Sequence, residues 1–469
     1  MENYIDIIEN KKEELFQAIG DIVAIRSVAG EPEGNMPFGK GVQDALDHLL
    51  KKAVADGFEV KNVDNYGAHI DFRGETDDIV AMVGHIDIVP EGDTANWTGD
   101  PFKVEIRDGK MFGRGVLDDK GPLMIGYYAM KALRDAGFKP NKTIRIIIGC
   151  DEETAWSGMN YYLKREKAPV AGFSPDADFP AIYAEKGLIE YRLKKNIDNG
   201  EGFKGPRLES MTGGSVINAV ADSAIAVISG VEPEYIKSIV DAYLQTHKCE
   251  IKLNINGTKS EIITKGVSSH AAQPELGVNA ISILFDLLGS IEFGSLDVND
   301  AISLYNEYIG FNVHGEKAGC AVEDEPSGKL SYNVGLVSIN EKEFTLSIDS
   351  RCPVTIDVED IYKGIYAFAA EHALEVEKLD YLAPLYKPVD DPLIKTLMDT
   401  YKNYTGDVDA KPLLIGGATY ARAVPNTVAF GPVMPGADDV CHMPDEYMRV
   451  DDIVTSAKIF ADALYKLAK

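Results

Sequence analysis

Little in this sequence could build a disulfide framework. The five cysteines, Cys150, Cys249, Cys320, Cys352 and Cys441, are scattered, odd in number and include no CxxC pair. That argues against both a crosslinked scaffold and a thiolate zinc site. No apolar run is long enough to span a bilayer. The opening residues Met1 to Lys12 mix acids and bases without an apolar stretch, so no signal peptide is expected there. Positive charge is also scarce, with 47 Lys and Arg against 75 Asp and Glu and a net charge of -28. Such a balance argues against nucleic acid or an anionic membrane as partner. It suits a cytoplasmic protein, and one that concentrates divalent cations.

What is present is an ordinary globular composition, 45% hydrophobic and 26% charged, over 469 residues. That length predicts two or three domains. Ile8, Leu15, Ile19, Ile22 and Val23 fall at helical intervals and predict one amphipathic helix. Val42, Leu46, Leu49, Leu50 and Ala53 predict a second, ended by Gly57; His48 lies off that stripe and reads as a surface residue. A strand pattern over 78–83 runs into Gly84-His85-Ile86-Asp87. Met111 to Gly115 leads to Asp118-Asp119-Lys120-Gly121-Pro122, and a helix follows with Met124, Tyr127, Tyr128, Met130 and Leu133. The Ile-rich run 144–148 is a buried strand. Strands alternating with helices predict an α/β layered domain. After Lys186 the pattern changes to half-exposed antiparallel strands, such as 190–194 and 344–348, separated by helices near 234–245 and 280–289. The βα pattern returns beyond Pro384, and a last helix carries Val454, Ala457, Ala461, Leu464 and Leu467. The expected division is 1–186 and 383–469 as a layered α/β/α catalytic domain, with 187–382 as a large inserted α+β domain.

Asp151-Glu152-Glu153 follows directly on the Ile-rich strand. Open α/β sheets place their chemistry outside the carboxyl ends of their strands. Adjacent carboxylates there repel one another, and a metal ion would compensate them, with one acid as ligand and its neighbour as base. A solvated acidic turn is the alternative reading of the same residues. Only eight histidines occur in the chain. His85 lies past a strand with Asp87 two positions on, a ligand and a carboxylate for its other ring nitrogen; a capped loop histidine is the alternative. His442, in Val440-Cys441-His442-Met443-Pro444-Asp445-Glu446, and the acids Asp118 and Asp176 complete the set. Mixed histidine and carboxylate donors suit zinc first and manganese second. Two histidines with three carboxylates exceed one tetrahedral site and match two ions sharing a bridging acid.

Three ordered motifs carry a family resemblance: Gly84-His85-Ile86-Asp87-Ile88-Val89-Pro90, then Gly113-Arg114-Gly115-Val116-Leu117-Asp118-Asp119-Lys120-Gly121, then Asp151-Glu152-Glu153. With them the chain resembles the co-catalytic metallopeptidases that include peptidase V, carboxypeptidase G, aminoacylase and succinyl-diaminopimelate desuccinylase. Trp97-Thr98, Asp100-Pro101-Phe102, Phe173-Ser174-Pro175-Asp176-Ala177 and the large insertion look most like the peptidase V-type bacterial dipeptidases. The resemblance implies two divalent ions per chain. His85 and Asp176 would hold one, Glu153 and His442 the other, and Asp118 would bridge them, with a cis peptide between Asp118 and Asp119. It implies that Asp87 orients His85 and that Glu152 is the general base.

The resemblance further implies that the inserted domain is a lid. His270, in Ser268-Ser269-His270-Ala271-Ala272, matches the family's lid histidine, which stabilises the oxyanion; a packing histidine is the alternative. Asn218 and Arg351 look like further substrate contacts, Arg351 for a carboxylate, with a salt bridge as its alternative. Gly416, Gly417, Thr419 and Arg422 lie in a glycine-rich loop resembling the family's substrate loop. The insertion is long enough to supply His270 in cis, so an active monomer is expected. The function implied is hydrolysis of dipeptides and other very short peptides. An N-acyl amino acid deacylase or desuccinylase shares these motifs, and a non-catalytic metal binder would lack a need for Glu152.

Overall fold

The Ile-rich run lies in the strand Lys142–Gly149, whose residues from Thr143 onward are buried. It pairs in parallel with Thr76–His85, which pairs in parallel with Ala171–Ser174, and that in turn with Thr427–Ala429. Burial on both faces explains why these strands read as continuous apolar runs. Gly67–Phe72 and Glu59–Val63 extend the sheet antiparallel beyond Lys142–Gly149. The computed structural model describes residues 3–200 and 202–469. The chain forms two units, Met1–Tyr183 with Lys387–Lys469, and Ala184–Tyr386.

In the first unit, alternate side chains of the central strands serve opposite layers. Ile79, Ala81, Val83 and Ile147 share a core with Met159, Tyr162, Tyr420 and Val424. On the other face the helix Lys120–Asp135 packs on Thr76–His85 and against the final helix Val450–Ala468. The α/β layering expected from the sequence is therefore observed. The predicted opening helix is two, Tyr4–Asn10 and Lys12–Val23, meeting at Lys11. Lys11 has φ -108 and ψ 12, off the helical values, and its N–H reaches both Ile7 O and Ile8 O; the apolar spacing survives this break, so periodicity alone did not reveal it. His48 lies off the buried stripe and is half-buried.

The second unit is built on an eight-stranded antiparallel sheet. Its order is Glu250–Asn256, Lys259–Lys265, Ser223–Ser229, Arg207–Gly213, Ser331–Ile339, Glu343–Cys352, Gly187–Asn196 and Glu375–Leu382. The helices Pro233–Thr246, Ala280–Leu288, Leu296–Leu304 and Val358–Glu371 share one apolar core with it. Alternating burial, as in Ser223–Ser229, gives the half-exposed pattern seen in the sequence. Among the described residues no helix is long and apolar enough to cross a membrane.

Candidate metal centre

Three neighbouring parallel strands deliver the acids at their carboxyl ends. His85 closes Thr76–His85 and is paired in register with Gly149, so Asp151, Glu152 and Glu153 emerge beside it. Asp176 follows the end of Ala171–Ser174. Asp118 arrives on the turn before the helix Lys120–Asp135, where Gly115 adopts φ +88, a conformation that L side chains avoid. Gly84 is needed for a different reason. A Cβ there would meet Asp119 Oδ2 at 2.4 Å, and that oxygen accepts the His85 N–H at 2.9 Å.

Asp118 stands between two imidazoles. Its Oδ1 lies 2.9 Å from His85 Nε2, and its Oδ2 lies 2.9 Å from His442 Nε2. Asp176 Oδ2 is 3.7 Å from His85 Nε2, and Glu153 Oε2 is 3.3 Å from His442 Nε2. The Asp118–Asp119 peptide is cis. Asp87 organises both sides: its main-chain oxygen faces His85 Nδ1 at 3.0 Å, and its two carboxylate oxygens accept the N–H groups of Glu152 and Glu153 at 3.1 Å each.

This cluster is crowded with negative charge. Burial raises the carboxyls of Glu153 and Asp176, and neighbouring Asp118 raises both further. Burial likewise pushes Glu152 up to about 8, with Asp176, Asp118 and Glu153 adding to it and His85 opposing. Burial alone would also raise Asp118, but hydrogen bonds from His442 and His85 hold it below the usual carboxylate range. Glu153 Oε1 is buried without a hydrogen-bond partner. An acid cluster short of positive charge, with a buried carboxylate oxygen left over, fits a divalent cation. His85, Asp118 and Asp176 form one group of converging donor atoms, and Asp118, Cys441 and His442 a second.

Three features were not assigned from the sequence. Glu446 ties the His442 loop to the Asp118 turn. Its Oε1 accepts the N–H groups of Gly115, Leu117 and Asp118 at 3.0, 2.8 and 3.2 Å, and its Oε2 pairs with Arg114 Nη1 at 2.6 Å. Arg114 also reaches His442 O at 3.2 Å. This hub holds His442 in the left-handed region at φ 61. The acid four residues after His442 was the available signal. Asp151, whose part was unspecified, accepts from Ser157 Oγ at 2.6 Å and Gly158 N at 2.9 Å, so it fixes the turn that follows the acids. Cys441 is the third, its Sγ 3.1 Å from Asp118 Oδ2.

A cavity of about 590 Å³ in the first unit opens onto Asp118, Asp176 and Cys441. Its wall is largely apolar, with Leu117, Phe179, Ile182 and Val433, and Thr419 contributes from the glycine-rich loop. Arg422 turns back on that loop, donating to Gly417 O at 3.0 Å, and Gly416 is half-buried there. In the second unit His270, Asn218 and Arg351 are neighbours. The N–H of Ala271 donates to Asn218 O at 3.0 Å, and Ser331 Oγ links Ala271 O to the Arg351 N–H. Two Arg351 donors meet Asp349 at 2.8 Å. His270 is exposed, and its Nδ1 accepts from Ala272 N at 3.0 Å, which leaves Nε2 to carry the proton of the neutral ring. Desolvation and then the Arg351 charge hold its pKa below the usual value.

The family model described as Peptidase family M20/M25/M40 matches residues 81–466. A putative dipeptidase, YtjP of Bacillus subtilis (strain 168), is 37% identical over 98% of both chains. A Beta-Ala-Xaa dipeptidase of Lactobacillus delbrueckii subsp. lactis is 32% identical, covering 100% of this chain and 98% of that one. In fold, the chain is similar to the crystal structure of an aminoacylhistidine dipeptidase from Vibrio alginolyticus, with TM-score 0.60 and 15% identity over 97% and 96% of the two chains. The match thus runs from the strand that carries His85 to the final helix, beyond His442, and the chain belongs to peptidase family M20/M25/M40.

Proposed function

We propose that this protein is a metal-dependent dipeptidase, hydrolysing the peptide bond of dipeptides and other very short peptides. The observation that carries the reading is Asp118, one carboxylate whose two oxygens each face a different histidine at 2.9 Å. A carboxylate placed so suits two ions rather than one. His85 and Asp176 would hold the first, Glu153 and His442 the second, with Asp118 shared. Zinc is the first expectation and manganese the second for such donors. The relatives named as dipeptidases support the substrate class.

The metals, when bound, supply electrophilic polarisation of the scissile carbonyl and acidify the attacking water. Glu152 is the group that takes the water proton and returns it to the leaving amine nitrogen. Asp87 fixes Glu152 and Glu153 through their N–H groups and fixes the ring of His85. From the second unit, His270 would offer its Nε2–H to the developing oxyanion. Asn218 and Arg351 would contact the substrate, as would the loop bearing Gly416, Gly417, Thr419 and Arg422. The reading includes a cytoplasmic enzyme active as a monomer with His270 supplied in cis; the five cysteines, all unpaired, are in keeping with a reducing compartment.

The test is Glu152→Ala, assayed for metal content and on a panel of dipeptides and N-acyl amino acids. Metal should be retained while dipeptide turnover falls by about 10²- to 10⁴-fold. Near-normal turnover would remove Glu152 as the base. Hydrolysis of N-acyl substrates alone by the parent enzyme would refute the dipeptidase reading.

A further inference from the structure

Composition argued against a thiolate site, because no two cysteines lie close in sequence. The fold nevertheless carries one cysteine into the acid cluster. Cys441 Sγ lies 3.1 Å from Asp118 Oδ2, the same oxygen that lies 2.9 Å from His442 Nε2. The donor atoms of Asp118, Cys441 and His442 all fall within 4.8 Å of one another. Glu153 gives an independent sign of a ligand. Its side chain is 8% exposed, its Oε2 is 3.3 Å from His442 Nε2, and its Oε1 is buried without a partner. A buried carboxylate oxygen with nothing to accept from is costly unless a cation meets it. Separations of this size are those between neighbouring donors on one ion with bonds of about 2.0–2.3 Å.

We propose that Cys441 is a further protein donor, through sulfur, to the ion held by His442, Glu153 and Asp118. The proposal rests on the two-metal reading above and adds a residue to it. Its consequence is that the two sites differ in kind. The His85, Asp118 and Asp176 side offers nitrogen and oxygen alone, which zinc and manganese both accept. The His442 side adds a soft sulfur, which selects zinc or cobalt over manganese. The competing role for the thiol is a hydrogen bond to Asp118 Oδ2 with no metal contact.

Absorption spectroscopy on protein loaded with Co²⁺ alone separates the two roles, with bound metal counted in parallel for the parent chain and for C441S. The parent should show a near-ultraviolet sulfur-to-cobalt charge-transfer band together with visible ligand-field bands. C441S should lose the first and keep the second. Its affinity for zinc at the altered site should fall by about 10- to 100-fold, the range seen even for supporting residues of metal ligands, while manganese affinity changes less. Cobalt bound to the parent with ligand-field bands but no charge-transfer band would overturn the sulfur donor and leave the two-metal reading standing. A charge-transfer band that survives in C441S would overturn it as well. A parent chain that binds no cobalt, zinc or manganese would overturn both.

Discussion

Removing the Glu446 carboxylate should loosen the site from behind, without touching a donor atom. Glu446 is fully buried and Arg114 is 1% exposed. Breaking a buried ion pair by deleting one partner costs about 3–5 kcal/mol, because the other charge stays in low dielectric. In Glu446→Ala the N–H groups of Gly115, Leu117 and Asp118 also lose their acceptor, and that adds to the same loss without adding independently. Both tryptophans, Trp97 and Trp156, lie in the first unit, and Arg114 lies 5.2 Å from the Trp97 ring centroid. Tryptophan fluorescence in a urea titration therefore follows this unit. With a slope near 3 kcal/mol per M, the midpoint should fall by about 1–1.7 M. Glu446→Gln keeps an acceptor for the three N–H groups but sets an amide N–H against Arg114, so it should cost nearly as much. Adding Arg114→Met to Glu446→Gln should recover part of the loss, since no charge is then left buried and unpaired, while the contact to His442 O goes with the guanidinium. Zinc content should fall in Glu446→Ala and return in part in the double variant. An Ala variant within about 0.5 kcal/mol of the parent, with full zinc content, would refute the argument.

Two further outcomes follow from neighbouring contacts. Asp87→Asn replaces one of the oxygens that hold Glu152 and Glu153 by a donor; metal affinity, read by competition with a chromogenic chelator, should fall by about 10- to 100-fold, and an unchanged affinity would remove Asp87 from its organising role. His69, 3% exposed with Nδ1 2.8 Å from the Tyr162 hydroxyl, is held by burial and then the Arg145 charge at a pKa of about 4. Above pH 6.5 the ring is neutral in both states and its contribution is full. As pH falls from 6.5 toward 4 the unfolded chain takes the proton first, so up to about 3 kcal/mol of stability is lost. Urea midpoints at pH 7 and pH 4.5 should differ less in His69→Asn than in the parent, and equal differences would refute the assignment.

What was legible in the sequence was whatever local order encodes. The Ile-rich strand, the alternating strands of the second unit and the acids at strand ends are short-range patterns, and the layered fold appears where they imply it. The break between the first two helices was not legible, because their apolar spacing continues across it. Glu446 and Cys441 lie within the His442 loop, but nothing local gives them a part, because their partners are far away in sequence. Arg114 is separated from Glu446 by 332 positions, and Cys441 from Asp118 by 323. Nothing in either local stretch names the other. Asp151 was ambiguous for the opposite reason: three adjacent acids look alike in sequence, and only the turn into Ser157–Leu163 separates their directions.

The order of the chain raises a physical question of its own. The donors of the candidate centre run from His85 to His442, with the whole second unit inserted between them. Loop-closure entropy would oppose bringing His442 back if the insertion were a flexible loop, although that cost grows only slowly with length. The insertion is not such a loop. Its own two ends are paired, Ala184 with Tyr386 and Glu185 with Leu385, in antiparallel register. Once the second unit is folded, the chain leaves and re-enters the first unit at neighbouring points. For the first unit the insertion then counts as a short connection, and the strand Thr427–Ala429 finds Ala171–Ser174 much as if the insertion were a turn. Insertions with adjacent ends interrupt a sheet at little conformational cost, which is why one unit can assemble both histidines around Asp118 from opposite ends of the sequence.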